Sequence, residues 1–434
     1  MEISERLAGF AAGAAPGEAA RAMMRLSVMD WAACAIAGAE EPVSRIVRAL
    51  VLEEAGAPQA ALVGDAARVP ARAAALANGA AAHALDYDDT HFAHIGHPSV
   101  AVVPAALALA QKTGADGAAF LDAALVGVEA SIRVGVWLGR GHYQVGFHQT
   151  GTAGAFGAAL AGARLLGADG ALALGIVSTL ASGLKSQFGT MGKPFNAGHA
   201  AASGVEAALL AARGFTSNAQ GLEGLQGFGE THAGVADEGA LDGLGERWLF
   251  ETVSHKFHAC CHGTHAMIEA LRGLLPLDVD AVTAIRVVTH PRWLRVCNQP
   301  APDTGLGAKF SYRLIAAMVL AGRDTAALST FSDAACADPA LIRLRDRVRV
   351  EADETLPETA ARVIVETREG PREGAHDLDA PLPLGLRSDK LRAKAASLLG
   401  RETAARLEAV CMAGAGPDPE ALARLLSQEA VVPA

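Results

Sequence analysis

The stretch Thr150-Gly-Thr-Ala-Gly-Ala-Phe-Gly-Ala-Ala-Leu-Ala-Gly-Ala-Arg-Leu-Leu166 decides how this chain is built. Gly151, Gly154 and Gly157 recur three apart, so on a helix they share one face and let a neighbouring helix come close. A Gly-rich dinucleotide loop is the other reading, but such a loop follows a strand, and none precedes these glycines. The segment reads as a packing helix, and the N-terminal half of the chain continues in the same style. Helices are expected over 17–37, opened by Pro16 at a first turn where a missing N–H costs nothing. Others are expected over 43–54, 71–85, 99–112, 117–138 and 197–212.

Composition points the same way. Of 434 residues 51% are apolar and only 5% aromatic, with alanine dominant; alanine-rich runs poor in β-branched residues favour helix over strand. Beyond Leu271 the pattern alternates instead. Ala284-Ile-Arg-Val-Val-Thr-His290, Arg347-Val-Arg-Val-Glu351 and Ala361-Arg-Val-Ile-Val-Glu366 read as strands with one wet face, with helices over 310–321 and 339–345 between them. The expected fold is mostly α. A large all-helical domain spans residues 1–272 and is completed by 395–434, and a smaller α+β domain spans residues 273–394.

The formal net charge is −10, and no Lys/Arg cluster offers a nucleic acid the basic face it needs. A net-negative surface gives an anionic ligand no long-range help, so cationic partners for one must be concentrated in a pocket. Apolar runs are broken by Gly, Pro, His or charge before they reach membrane-spanning length. Met1-Glu-Ile-Ser-Glu-Arg6 lacks the basic-then-apolar order of a signal peptide. The six cysteines form no disulfide framework, so the expectation is a cytoplasmic protein with neither nucleic-acid nor membrane partner.

Chemistry concentrates in a few segments. The richest is Asn78-Gly-Ala-Ala-Ala-His83-Ala-Leu-Asp86-Tyr-Asp88-Asp89-Thr90-His91-Phe-Ala-His94-Ile-Gly-His97-Pro98-Ser99. A calcium loop starting at Asp86 would want Gly and Glu where His91 and His97 stand. Zinc on His91, His94 and His97 is opposed by Gly96 and Pro98, which break the helix that would align them. A histidine tuned by an adjacent carboxylate for acid–base work fits better. His148 stands at a helix start, where unpartnered N–H groups attract anions and keep a nearby imidazole neutral. Only seven of the 37 Lys and Arg residues are lysines, which makes Lys193, between Gly192 and Pro194, a candidate rather than routine surface charge. In His255-Lys256-Phe-His258-Ala-Cys260-Cys261-His262-Gly-Thr264-His265, adjacent cysteines without a C-x-x-C partner argue against zinc. The scattered Cys34, Cys297, Cys336 and Cys411 argue against an iron–sulfur cluster. Lys256 and a neighbouring histidine read better as acid groups. Lys309, Ser311 and Tyr312 open a helix, and Ser311 is equally suited to capping it.

Taken together these segments resemble the MmgE/PrpD family over nearly the whole chain. The marks are Asn78-Gly, His83, Asp86-Tyr-Asp-Asp-Thr90 and His97-Pro98-Ser99, then Gly127-Val-Glu129 with Arg133, Phe147-His148, Thr190 with Lys193-Pro194 and Gly198, Lys256 with His265, and Lys309-Phe-Ser311. The resemblance implies a helical domain, an α+β lid with the site between them, a homodimer, and cofactor-independent chemistry without a metal. Members include 2-methylcitrate dehydratase, cis-aconitate decarboxylase and iminodisuccinate epimerase. Asp86, Thr90, His97, His148, Lys193 and Lys256 match the decarboxylase site by position. Asn196 departs from a histidine often found after the Lys-Pro step, and Cys261, with His262 beside it, stands where the decarboxylase has a site histidine.

The implied chemistry forms or quenches a carbanion-like centre next to a carboxylate of a small di- or tricarboxylic acid. Lys193 and Lys256 would hold substrate carboxylates, His97 and His148 would be the acid–base pair, and Asp86 would orient or tune its neighbouring histidine. Thr90, Cys261, His262, His265, Lys309, Ser311 and Tyr312 would complete the binding surface. Family breadth favours a hydro-lyase, with an epimerase or a decarboxylase as alternatives. A non-catalytic polyacid-binding protein is the rival from another class.

Overall fold

The computed structural model describes residues 2–428. Two compact units divide the chain: residues up to His255 together with those from Leu399 on, and Lys256–Leu398. The first unit is built from helices α1 (Ile3–Gly13), α2 (Glu18–Ala37), α3 (Pro42–Glu54), α4 (Ala71–His83), α5 (Ser99–Thr113), α6 (Gly117–Val145), α7 (Gln149–Leu166), α8 (Gly170–Val177) and α9 (Gly192–Ala211).

Helix α7 is the opening stretch of the sequence, and every side chain from Gln149 to Ala163 is buried. A helix without a polar face has to be surrounded; α7 packs against α5, α6, α8 and α9. The glycine face does what its spacing requires. A Cβ at Gly157 would collide with the Gly127 carbonyl of α6, and one at Gly151 would lie 2.5 Å from the Ser182 carbonyl. A second close approach brings α9 onto α4, where Gly198 and Gly79 meet backbone to backbone.

Several boundaries differ from expectation for local reasons. Pro16 precedes its helix, and Gly17 is the N-cap. Helix α6 continues beyond 138 to Val145 through a break at Gly139, whose φ of 72° favours glycine. Helix α9 starts at Gly192, because Pro194 sits in a first turn that needs no N–H from it. Lys193 is thus in the first turn of a helix. The all-helical reading of this unit needs one correction, since β1 (Ala60–Leu62) and β2 (Asp65–Val69) form an antiparallel hairpin. Gly64 turns between them at φ 71°, and the strands are too short to show an alternating pattern.

The second unit carries a four-stranded sheet, ordered β4-β3-β5-β6, from β3 (Val282–Thr289), β4 (Val348–Ala352), β5 (Ala360–Thr367) and β6 (Gly370–Asp377). Strands β3 and β4 are parallel, and the other pairings are antiparallel. Strand β6 was not anticipated: Gly370-Pro-Arg-Glu-Gly-Ala-His-Asp377 has poor strand propensity, and an edge position tolerates its proline and charges. The helix His265–Arg272 packs on β5 and β6. The division therefore falls ahead of this helix, not after residue 272. Among the described residues no helix is long and apolar enough to cross a membrane.

Candidate active site

The end of α4 and the turn behind it assemble a polar cluster inside the first unit. Helix α4 closes at His83, and Asp86 follows in a left-handed conformation, φ 50°, which a short polar side chain tolerates best. The buried Asp88 carboxylate accepts from His83 Nδ1, at 2.9 Å and 3.0 Å to its two oxygens. His97 places Nδ1 3.0 Å from Asp88 and Nε2 3.4 Å from Asp86. From the first turn of α9, Lys193 Nζ reaches Asp86 Oδ2 at 2.6 Å.

His148, the N-cap residue of α7, completes the group. Its backbone N–H donates to the Gly183 carbonyl at 2.9 Å, and its ring stacks on His83 with centroids 6.0 Å apart. His83 meets His97 edge-on at 4.6 Å. Thr150 accepts from the His97 backbone N–H at 3.0 Å, tying the two histidine segments together. Asn196, one turn beyond Lys193, sets its side-chain nitrogen 3.2 Å from His148 Nδ1.

These surroundings decide protonation. Burial works to raise the Asp88 carboxyl, but the His83 and His97 imidazoles outweigh it and hold the group well below the usual carboxylate range. Burial drives His148 well below the usual imidazole value, and the nearby His83 and Lys193 add to the effect, so it stays neutral. The next carboxylate behaves oppositely. Burial pushes Asp89 up to about 7 against hydrogen bonds from Ser99 and Ser27, with Asp30 and Asp88 adding repulsion.

Other expected residues take different places. Thr90 is joined to Ser254 by a backbone pair and donates its hydroxyl to the Ser254 carbonyl at 3.3 Å. His91 turns away, with Nε2 3.0 Å from the Leu249 carbonyl. His94 is buried and pushed down to about 3 by that burial. Neither is arranged with His97 as a zinc set. His83, Asp86, Asp88 and His97 do present ligand atoms within 4.8 Å of one another, yet the Lys193 ammonium on Asp86 would repel a second cation there.

Lys256, Cys261, His262, His265, Lys309, Ser311 and Tyr312 belong to the second unit. The Cys261 N–H donates to the Lys309 carbonyl at 3.0 Å, and the His262 and His265 rings meet at 4.7 Å. His265 is buried and driven well below the usual imidazole value by that burial, then by His262 and His258. Ser311 is a helix cap: its hydroxyl accepts from the Leu314 N–H at 3.2 Å and donates to the Gln299 carbonyl at 2.6 Å. Tyr312 is fully buried with its hydroxyl donating to the Gly263 carbonyl. Ser311 thus caps its helix and Tyr312 packs in the core of this unit.

The sequence reading passed over His83 and Asp88 as members of the site. The signal was available: a histidine and an aspartate within an alanine-rich buried segment must find partners. The Glu129/Arg133 motif is structural. Arg133 is fully buried, pairs with Glu129 at 2.7 Å and donates to the carbonyls of Ala240, Asp242 and Arg247, while Glu129 accepts from the Leu249 and Phe250 N–H groups.

Two family models match in order, the MmgE/PrpD N-terminal domain over residues 5–238 and the MmgE/PrpD C-terminal domain over residues 258–411. The chain is 28% identical over 429 residues to the cis-aconitate decarboxylase-like protein oryM of Aspergillus oryzae, covering 88% of this chain and 87% of that protein. It is 29% identical over 305 residues to human cis-aconitate decarboxylase, covering 65% and 62%. With the Aspergillus terreus cis-aconitate decarboxylase it shares 32% over 267 residues, covering 57% and 54%. The matched region thus spans less than two thirds of the human and A. terreus enzymes.

Proposed function

Because the chain belongs to the MmgE/PrpD family, we propose that it is a lyase working by acid–base chemistry beside a carboxylate of a small polycarboxylic acid. The observation that carries this reading is the array Lys193–Asp86–His97–Asp88–His83, with His148 alongside. It offers an ammonium for an anionic substrate group and three imidazoles, of which His97 and His148 lie in different electrostatic settings. Lys256, in the second unit, is a further candidate carboxylate partner on the family resemblance.

Among the family's reactions, decarboxylation of a cis-aconitate-like acid has the most support, since the relatives named above carry that activity in their names. In that reaction the bond to the departing carboxylate breaks. Its electron pair delocalises toward a retained carboxylate, and a proton then quenches the carbanion. Dehydration uses the same groups in another order, with a base at the C–H and an acid at the leaving hydroxyl. Asn196 and Cys261, which depart from the decarboxylase pattern, keep dehydration or epimerisation as the second reading. A cytoplasmic homodimer is part of the same proposal, and light scattering on the purified protein tests the assembly.

Carbon dioxide release from cis-aconitate tests the preferred reading. Release by the wild-type protein that His148→Ala reduces by orders of magnitude supports it. A protein that binds the acid, releases nothing and loses only affinity on substitution is the polyacid-binding alternative.

A further inference from the structure

We infer that Asn196 fixes the tautomer of His148, holding its proton on Nε2, so that His148 serves as a neutral hydrogen-bond donor while His97 moves the proton. The inference rests on the lyase reading for its chemistry, although the tautomer itself does not depend on it.

The geometry around Asn196 is decisive. Its side-chain nitrogen lies 3.2 Å from His148 Nδ1 and 3.4 Å from the Leu184 carbonyl. A carbonyl oxygen can only accept, so the amide must turn its NH2 group toward Leu184. Reversing the amide would set two oxygens against each other. The remaining N–H then points at His148 Nδ1, which must accept. A neutral imidazole that accepts at Nδ1 carries its proton on Nε2. Burial keeps His148 neutral, as do the charges of His83 and Lys193.

His97 has the opposite surroundings. Carboxylates lie at both nitrogens, Asp88 3.0 Å from Nδ1 and Asp86 3.4 Å from Nε2, each shared with a further partner, His83 on Asp88 and Lys193 on Asp86. A ring so placed can take up and return a proton. A neutral imidazole with a fixed Nε2–H instead stabilises charge building on a substrate oxygen without losing its proton. Asn196 is thereby a positioning residue, acting through His148.

Selective 15N labelling of histidine, with NMR signals assigned through His148→Ala, reads the tautomer in the substrate-free protein. The expected result is a bare Nδ1 and a protonated Nε2 in the wild type. In Asn196→Asp a carboxylate faces Nδ1 and should draw a proton onto it; in Asn196→Ala the ring should lose its single tautomer. A protonated Nδ1 in the wild type, or an unchanged ring in both variants, would overturn the inference. Kinetically, Asn196→Asp should lower kcat on the order of 10²-fold, the scale of losing one preorganised donor, with KM little changed. His148→Gln, which keeps an N–H donor, should retain more activity than His148→Ala, whereas His97→Gln should be as inactive as His97→Ala. Equal losses in His148→Gln and His148→Ala would contradict the donor role. Failure to turn over any polycarboxylate would remove the lyase reading and leave the NMR result to decide the tautomer.

Discussion

Lys193 and Asp86 meet at 2.6 Å, an ammonium from the first turn of one helix against a carboxylate held in a left-handed turn behind another. The Lys193 side chain is only 15% exposed, whereas that of Asp86 is 43% exposed. The ammonium is therefore positioned by its pair, while the Asp86 end stays open to water. Lys193→Met should cost about 1.5–3 kcal/mol of binding to a substrate carboxylate, the worth of a hydrogen bond to a charged group. That corresponds to roughly 10–100-fold in kcat/KM. Steady-state kinetics check it; an unchanged kcat/KM would remove Lys193 from the substrate contacts.

His97→Ala and His148→Ala should each lower kcat by roughly 10²–10⁴-fold, the usual contribution of a placed acid–base or donor group. Both variants should fold, because each truncation leaves α7 and its glycine contacts in place. Circular dichroism and thermal unfolding verify that the loss is chemical.

Asp89 gives stability a pH dependence whose sign is fixed by its environment. Its folded value of about 7 lies above the roughly 3.9 of an unfolded aspartate. Between these values the native state binds the extra proton. The corresponding stability is complete at low pH and is lost as pH rises through about 7. A shift of about 3 units sets a ceiling of about 4 kcal/mol. Unfolding of wild type and Asp89→Asn across this range should show wild type losing stability relative to the variant as pH rises. A difference that stays flat would contradict it.

Glu129→Ala should be among the most destabilising single substitutions. It leaves the fully buried Arg133 guanidinium without its carboxylate and the Leu249 and Phe250 N–H groups without an acceptor. Breaking a buried pair from one side typically costs about 3–5 kcal/mol. Denaturant unfolding measures the loss, which a merely solvated surface pair would not show.

How far the residues announce themselves depends on how local each signal is. The glycine face of α7 was legible because its spacing maps directly onto one helix side. Lys193 stood out through the scarcity of lysine, and His148 through its place at a helix start. Strand β6 was illegible because pairing with β5, not its own propensity, makes it a strand. The Asp88 contacts with His83 and His97 need the turn after α4 to fold back, and that turn depends on Asp86 accepting positive φ. The Glu129/Arg133 spacing was visible as one helical turn, but its partners lie more than a hundred residues away in sequence.

Proton NMR of the purified protein in D₂O, with cis-aconitate, 2-methylcitrate and iminodisuccinate supplied separately, tests the central claim most directly. Lyase chemistry should give new alkene signals, with loss of carbon dioxide or water from one of these acids, that are strongly weakened in both His97→Ala and His148→Ala. Deuterium entering an α-carbon with no new alkene would move the chain to the epimerases. Saturable binding of an acid, without any change in its spectrum, would contradict the lyase reading.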